Sequence, residues 1–446
     1  MPTLKSPAPP GAAASPPRTP RAPRRHPLRA ELLRGIGPWT GAAVALAVGL
    51  MLYEKADPDT DWQSHWSAGA ELLRVGAVQF GGPIALAAGV WQGGRERRRG
   101  TLELRAGAAR GTLRQTLVAV APVVLWPVAV HLLGALVMVL AILPYASAGG
   151  PYGSVVVADS VALASCGVLG FVVGRLVAWR LAAPLLGIAA WLAMVGFQNG
   201  HGTRRKVLTL LNPADQLDLY GRVPVWWFAP ASLLWTGGVA ATVLLLYAAR
   251  RRAFALVPLA AAVLGAATLM STGDGLWRDS PALTRQVCTG QDPEICVTAQ
   301  NRRLLPDVTA ALSGVHAELR GVPGAPVRWT EAPDGVLKPG EAALSDLFGN
   351  AFRGRLGEPE AFAYGSVGAL FGWCATERPG WERAIDITQA ASDWLAPYTH
   401  NWYEPTPETK RHLNRLKAMT PAESRAYLTR LLASDRCENP GAVPAP

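Results

Sequence analysis

Apolar residues come in long blocks over the first 270 positions. Seven runs, Gly37 to Tyr53, Val75 to Trp91, Leu117 to Leu143, Val155 to Gly174, Leu181 to Phe197, Trp227 to Tyr247 and Ala253 to Met270, approach or exceed the roughly 18 residues that carry a helix across a bilayer core. The first, second and fifth are the shortest. Leu117 to Leu143 contains Pro122, Pro127 and His131, which predicts a helix kinked at its prolines, its freed carbonyls satisfied by neighbouring helices. From Ser271 onward the pattern is far more polar. Thr406-Pro-Glu and Thr420-Pro-Ala-Glu423 supply N-cap threonines, first-turn prolines and, in the second case, a capping box, so helices are expected over Pro407 to Ala418 and Pro421 to Ala433. Val297 to Leu319 reads as a further helix interrupted near Pro306, and Val327 to Thr330 as a short strand. The expectation is an all-α polytopic membrane protein with about seven transmembrane helices and an α-rich C-terminal domain. Residues 1–27 form a disordered basic Pro-rich tail, 28–270 the transmembrane domain and 271–446 the polar domain.

Composition agrees with the pattern: 50% of residues are hydrophobic and only 17% charged, against roughly a quarter in ordinary soluble domains. The formal net charge of +11 does not point to nucleic acid, because the basic residues sit beside the apolar runs rather than as a stripe on a folded domain. Their distribution sets an orientation. Nineteen Lys and Arg fall in the tail, in the loop after the second run, in the turn after the fourth at Arg175 and Arg180, and in the turn after the sixth at Arg250 to Arg252. The positive-inside rule places these segments in the cytoplasm. The loop after the first run instead carries Glu54, Asp57, Asp59, Asp61 and Glu71 against Lys55 and Arg74, and the loop after the third has neither Lys nor Arg. The exception is Arg204, Arg205, Lys206 and Arg222 between the fifth and sixth runs. Seven spans with a cytoplasmic N-terminus put residues 271–446 outside.

Cysteine usage fits an oxidising compartment for that domain, since Cys288, Cys296, Cys374 and Cys437 all lie in it and Cys166 lies within the fourth run. Four cysteines allow three pairings; the short loop with Gly290 and Pro293 favours Cys288 with Cys296, leaving Cys374 with Cys437. No close Cys/His spacing suggests a metal site. His400, Glu404, Glu408 and His412 recur at four-residue spacing, but Pro405 and Pro407 break the helix that would align them. Signatures of catalysis are missing: there is no His-Glu-x-x-His, and Tyr364-Gly-Ser-Val-Gly368 is no nucleophile elbow. Nor is there a Gly-x-x-x-x-Gly-Lys-Ser/Thr phosphate loop, so neither a catalytic residue nor a cofactor is assigned, and any ATP-driven work needs a separate subunit. No apolar run holds a buried ionisable group apart from His131 and the border residue Asp159, which argues against ion-coupled carriage. Gly41, Ala45 and Gly49 in the first run, and Gly170 with Gly174 in the fourth, would permit close helix packing.

The densest charge is the elbow Trp91-Gln-Gly-Gly-Arg-Glu-Arg-Arg-Arg-Gly-Thr-Leu-Glu-Leu-Arg105. Arg95, Arg97, Arg98 and Arg99 would each cost roughly 2.5 to 3.5 kcal/mol at a bilayer centre, so they hold this loop at the inner face. Glu96 and Glu103 go beyond topology, since interleaved charges of both signs can set the register of a docked partner. Pairs such as Glu96 with Arg99, at helical spacing, explain them equally well. Before the first run, His26-Pro-Leu-Arg-Ala-Glu-Leu-Leu-Arg-Gly35 has Leu28, Leu32 and Leu33 on one side and Arg29 and Arg34 on another, as an interfacial helix touching membrane lipid would; a plain basic flank that only sets topology accounts for the composition equally well.

These segments together resemble permease subunits of type-2 ATP-binding-cassette transporters, in the actinobacterial form with an added extracytoplasmic C-terminal domain. In that family an amphipathic helix precedes the first span, and the loop between spans two and three holds a coupling helix, often written Glu-Arg-x-x-Gly-Thr-x-Glu-Leu. Here Glu96-Arg-Arg-Arg-Gly-Thr-Leu-Glu-Leu104 matches it. The resemblance implies an ATPase-coupling element at Arg95, Glu96, Arg97, Arg98, Arg99, Gly100, Thr101 and Glu103, and a cytoplasmic ATPase subunit as partner. It also implies a homodimer or a second permease subunit, and a multi-pass place in the bacterial plasma membrane. Thr203 to Gly221 is similar to the family's outer reentrant element. The seventh span and the C-terminal domain depart from its usual six spans, which keeps open a membrane-anchored sensor or hydrolase.

Overall fold

The structure, a computed structural model, describes residues 27–54, 62–100, 111–177, 179–198, 209–332, 335–372, 378–398, 404–435 and 437–446. The tail up to residue 26 lies outside them. Each of the seven apolar runs forms a helix. A short amphipathic helix α1 (Pro27–Arg34) precedes α2 (Gly37–Glu54). Among the described residues, five helices are long and apolar enough to cross a membrane: α3 (Trp66–Arg99), α4 (Thr112–Ile142), α5 (Gly153–Leu176), α7 (Phe228–Ala248) and α8 (Arg252–Thr272). Helices α2 and α6 (Ala182–Gln198) are shorter and equally apolar. This is a membrane-embedded helical protein.

One expectation needs correction. Helix α3 begins at Trp66 rather than Val75, so Glu71 and Arg74 belong to a helix and not to a loop. The reason is packing: Trp66, Ala70 and Leu73 are buried, and the charge of Arg74 is met inside the bundle. A π-helical segment at Val75–Phe80 then offsets the helical register before α3 continues. Helix α4 runs through Pro122 and Pro127 as a single element, with both prolines buried.

The most extensive helix pairing joins α3 to α5, and glycines make it possible. Cβ atoms added to Gly89 and Gly93 on α3 would fall 2.4 and 2.2 Å from the carbonyl oxygens of Gly167 and Phe171. At Gly170 and Gly174 they would fall 2.0 and 2.1 Å from those of Leu86 and Val90. Two glycine pairs at four-residue spacing thus face each other across backbones in contact. In α2, Gly41 packs under Trp126, whereas a Cβ added at Gly49 would meet no other element within 4 Å.

Helix direction alternates, so the connections gather at two ends. One end holds α1, the elbow at Arg95–Arg99 and the α5–α6 and α7–α8 turns. The other holds the remaining connections and the C-terminal domain, which is joined to each of them. Strand β1 (Arg222–Pro224) pairs antiparallel with β2 (Trp277–Asp279), Gly354 N donates to Ser64 Oγ at 3.0 Å, and Arg303 N donates to Ser147 Oγ at 3.0 Å. Arg222, part of the exception to the charge rule, lies at this end between Asp218 and Asp279, which offset it. Lys206 and its two arginine neighbours lie outside the described residues.

The C-terminal domain holds more β structure than the strand expected near Val327. Its sheet runs β3 (Gln286–Cys288), β4 (Glu294–Thr298), β5 (Arg328–Thr330), β6 (Glu341–Ala343), antiparallel in the first pair and parallel in the next two. Helices α9 (Leu305–Ala311) and α10 (Ser313–Leu319) cross from β4 to β5, and the break between them follows Pro306 by several residues. Helices α11 (Pro359–Phe371), α12 (Trp381–Leu395), α13 (Pro407–Ala418) and α14 (Pro421–Leu432) close a core around Trp329, Phe362, Ile387 and Tyr427. The last two match their expected bounds almost to the residue. Thr406 caps α13, and Thr420 with Glu423 forms the capping box of α14. Cys288 and Cys296 are cross-strand partners joined by a disulfide. Cys437 is also disulfide-bonded, Cys374 lies outside the described residues, and Cys166 is buried and free.

Candidate functional site

The elbow is the last turn of α3, Arg95–Arg99, set off from the rest of the helix at Gly94 and stopped by Gly100 in the left-handed conformation, φ 64°. Its charges divide by direction. Arg95 donates from both terminal nitrogens to the two carboxylate oxygens of Glu31 on α1, at 2.9 Å each. Glu96 accepts from Arg175 at the end of α5, at 2.6 and 2.9 Å. The in-helix pairing of Glu96 with Arg99 is therefore replaced by a bidentate contact between helices, with Arg175 itself packed over the Phe171 ring. Arg97 donates to the Leu176 carbonyl at 3.2 Å, and Arg98 lies over the Trp91 ring at 4.3 Å. Arg99 is exposed. Thr101 and Glu103 lie outside the described residues.

This geometry ties one turn of helix to two others. Bidentate Arg–carboxylate pairs fix angle as well as distance, so a displacement of the elbow is transmitted to α1 through Glu31 and to α5 through Arg175. Helix α1 is held in turn by α4, where Trp126 Nε1 donates to the Leu32 carbonyl at 3.0 Å. Sequence reasoning valued Arg175 only for topology. Its pairing with Glu96 follows from the close approach of α3 and α5 at the glycines, which no local pattern displays.

A second cluster lies inside the bundle near the opposite end. Arg74 Nε donates to Asp159 Oδ1 at 2.9 Å, Arg74 also reaches the Asp215 carbonyl at 3.3 Å, and its guanidinium sits over Phe228. Both side chains are buried, and they border a cavity of about 40 Å³ with Asn212, Trp235 and Thr236, enough for an ordered water. The segment from Thr209 to Gly221 covers this site, Asn212 donating to the Met194 carbonyl at 2.9 Å. That is the described part of the expected reentrant element; residues 203–208 lie outside it. His131 is buried too, its Nε2 3.3 Å from the Val156 carbonyl. Asp159 is thus buried within the bundle, and Arg74 adds a buried charge that the sequence pattern placed in a loop.

The third cluster joins the two parts of the chain. Glu331, just after β5, accepts at Oε2 from Thr298 N and Oγ1 at 2.7 and 2.8 Å, and at Oε1 from Asn301 Nδ2 at 2.8 Å and Tyr220 OH at 2.6 Å. Asn301 Oδ1 meets His65 Nε2 at 2.7 Å, immediately before α3. Burial and the Glu331 charge hold the Tyr220 hydroxyl well above the usual tyrosine range, so it stays a donor. The carboxyl ends of parallel strands are the usual place for a ligand in open α/β sheets. Here Tyr220 and His65 from the membrane part occupy it. No motif marks Asn301 or Glu331 in the sequence.

The fold and these clusters define a class: a helical membrane protein with a mixed α/β domain docked on one end of its bundle and a charged, three-helix junction at the other. No known family, curated protein or solved structure matches the chain.

Proposed function

We propose that the chain is the permease subunit of an ATP-binding-cassette transporter in a bacterial plasma membrane, moving its substrate with a separate cytoplasmic ATPase. The observation that carries this is the elbow, a charged turn at the end of the bundle whose Arg95 and Glu96 are locked to α1 and α5. Such a lever converts a push at one loop into movement of several helices at once. The seven alternating helices support a cytoplasmic elbow and an extracytoplasmic C-terminal domain, because the basic residues concentrate at the elbow's end. The permease works alongside a second copy or a second permease subunit. Glu96 serves here as an internal strut, so the docking surface is left to the exposed Arg99, to Gly100 and to the loop beyond them.

The test is co-purification with an ATP-binding-cassette ATPase from the same genome, co-expressed with this chain. Arg99→Glu is expected to abolish capture of the ATPase while membrane insertion is unchanged. Glu96→Gln is expected to keep capture and uncouple ATP hydrolysis from transport, since it loosens the strut and spares the surface. Capture that survives charge reversal at Arg99 and deletion of the loop from 100 to 110 would sink the proposal. A second reading, an anchored extracytoplasmic sensor, is favoured by a cleft of about 540 Å³ in the C-terminal domain lined by Thr309, Ser313, His316, Arg320 and Trp329. That volume lies in the range of small-molecule sites.

A further inference from the structure

The space between α1 and the elbow forms an open pocket of about 430 Å³ bounded by Ala30, Glu31, Gly35, Trp91, Arg98 and Arg99. Its charge is unbalanced. Arg95, which also borders it, is matched by both oxygens of Glu31, whereas Arg98 and Arg99 have no carboxylate partner among the described residues. Trp91 holds the Arg98 guanidinium against its ring, 4.3 Å from the centroid, so one cation is fixed at the wall.

The opposite flank of α1 determines where this pocket lies in a bilayer. Leu28, Leu32 and Leu33 form an apolar groove with Leu125 and Trp126 of α4, and Leu33 is 60% exposed. An amphipathic helix with such a face settles at the boundary between acyl chains and headgroups, and the two tryptophans suit that same layer. Seating the leucines in the acyl region puts Arg98 and Arg99 at the depth of the phosphates.

We propose that this pocket binds the phosphate-bearing headgroup of an anionic phospholipid from the surrounding leaflet. A phosphate offers oxygens spaced for two guanidinium forks, and a net negative lipid offsets the two unmatched charges where a zwitterionic one does not. The assignment rests on the membrane embedding of the bundle; it shares Arg99 with the proposed ATPase contact, and its test contains no ATPase, so the two readings fail separately. The lipid would brace α1 against the elbow from the side opposite the Glu96–Arg175 pair.

The full chain, purified in detergent, is titrated with phosphatidylglycerol, with phosphatidylcholine and with inorganic phosphate alone, and retained adducts are read by native mass spectrometry. Phosphatidylglycerol is expected to be retained at least tenfold better than phosphatidylcholine. The double variant Arg98→Gln with Arg99→Gln should lower that retention about thirtyfold, from roughly 1 kcal/mol per basic residue near an anionic surface. Arg251→Gln with Arg252→Gln, at the same end but away from the pocket, should leave it unchanged. Arg98→Lys with Arg99→Lys, which keeps the charge, should retain most of it and guards against a folding defect. Equal retention of the two lipids, or full retention by the Gln variant, overturns the proposal. So does inorganic phosphate bound in an Arg98- and Arg99-dependent way without lipid selectivity, since the site would then be one for a free anion.

Discussion

Arg74 and Arg175 are the two most deeply buried arginines of the bundle, and each lies against one carboxylate, with side-chain exposures of 6% and 5%. Removing one partner of such a pair strands a buried charge, at about 3 to 5 kcal/mol. Neither pair was legible in the sequence, because the partners are 85 and 79 residues apart and nothing local marks them. His316 was equally silent. It packs 5.9 Å from the Trp329 ring, and burial lowers its pKa below the ordinary histidine value. His412 is also lowered, by burial and by the nearby positive charge of Arg415. A folded-state pKa below the unfolded one means that the unfolded chain binds more protons between the two. The stability of the C-terminal domain should therefore be full above about pH 6.5 and fall as the pH drops below it. Thermal melts followed by tryptophan fluorescence between pH 7.5 and 5 should show this slope, and His316→Gln should flatten part of it. A variant slope identical to that of the parent would remove His316 from the account.

At the scale of elements, the glycine face between α3 and α5 decides how the bundle closes. The sequence displayed Gly170 with Gly174 as a packing stripe; their partners Gly89 and Gly93 came only from the structure. The stripe in α2 fared differently, since Gly41 is packed and Gly49 faces open space. That contrast gives a paired test. Gly170→Val would drive a side chain into the Leu86 carbonyl, which as backbone cannot rotate away, so the helices must separate. The expected loss is about 1 to 3 kcal/mol or more, typical of overpacking. Gly49→Val should change the detergent melting temperature little. Equal melting of the two variants would show that the close approach is not what holds α3 to α5. The capping box was legible for the opposite reason: Thr420 and Glu423 act within one turn, and their spacing of three residues suffices to reveal it.

At the scale of the molecule, three connections at one end of the bundle and the C-terminal domain meet through Ser64, Ser147, β1 and the Glu331 network. The domain is therefore built onto the bundle rather than tethered to it by a linker. With the elbow's end cytoplasmic, an impermeant maleimide should label a cysteine at exposed Glu404 in intact cells, and one at Arg251 only after permeabilisation. The free native cysteine, Cys166, is buried and should give little background. The reverse labelling pattern would invert the orientation and with it the place of any ATPase.

The sequence by itself determined the seven helices, their alternation and the two capped C-terminal helices, and it favoured Cys288 with Cys296 among three possible pairings, a bond the structure then shows. Those features depend on hydrophobic length, on charge beside it and on contacts a few residues apart. Only the tertiary structure decided where α3 begins, that Arg74 is buried against Asp159, that Glu96 belongs to Arg175 and that Tyr220 and His65 fill the edge of the C-terminal sheet. Each of these joins residues distant in the chain, and a charge or a strand of three residues takes its meaning from the partner that packing brings to it.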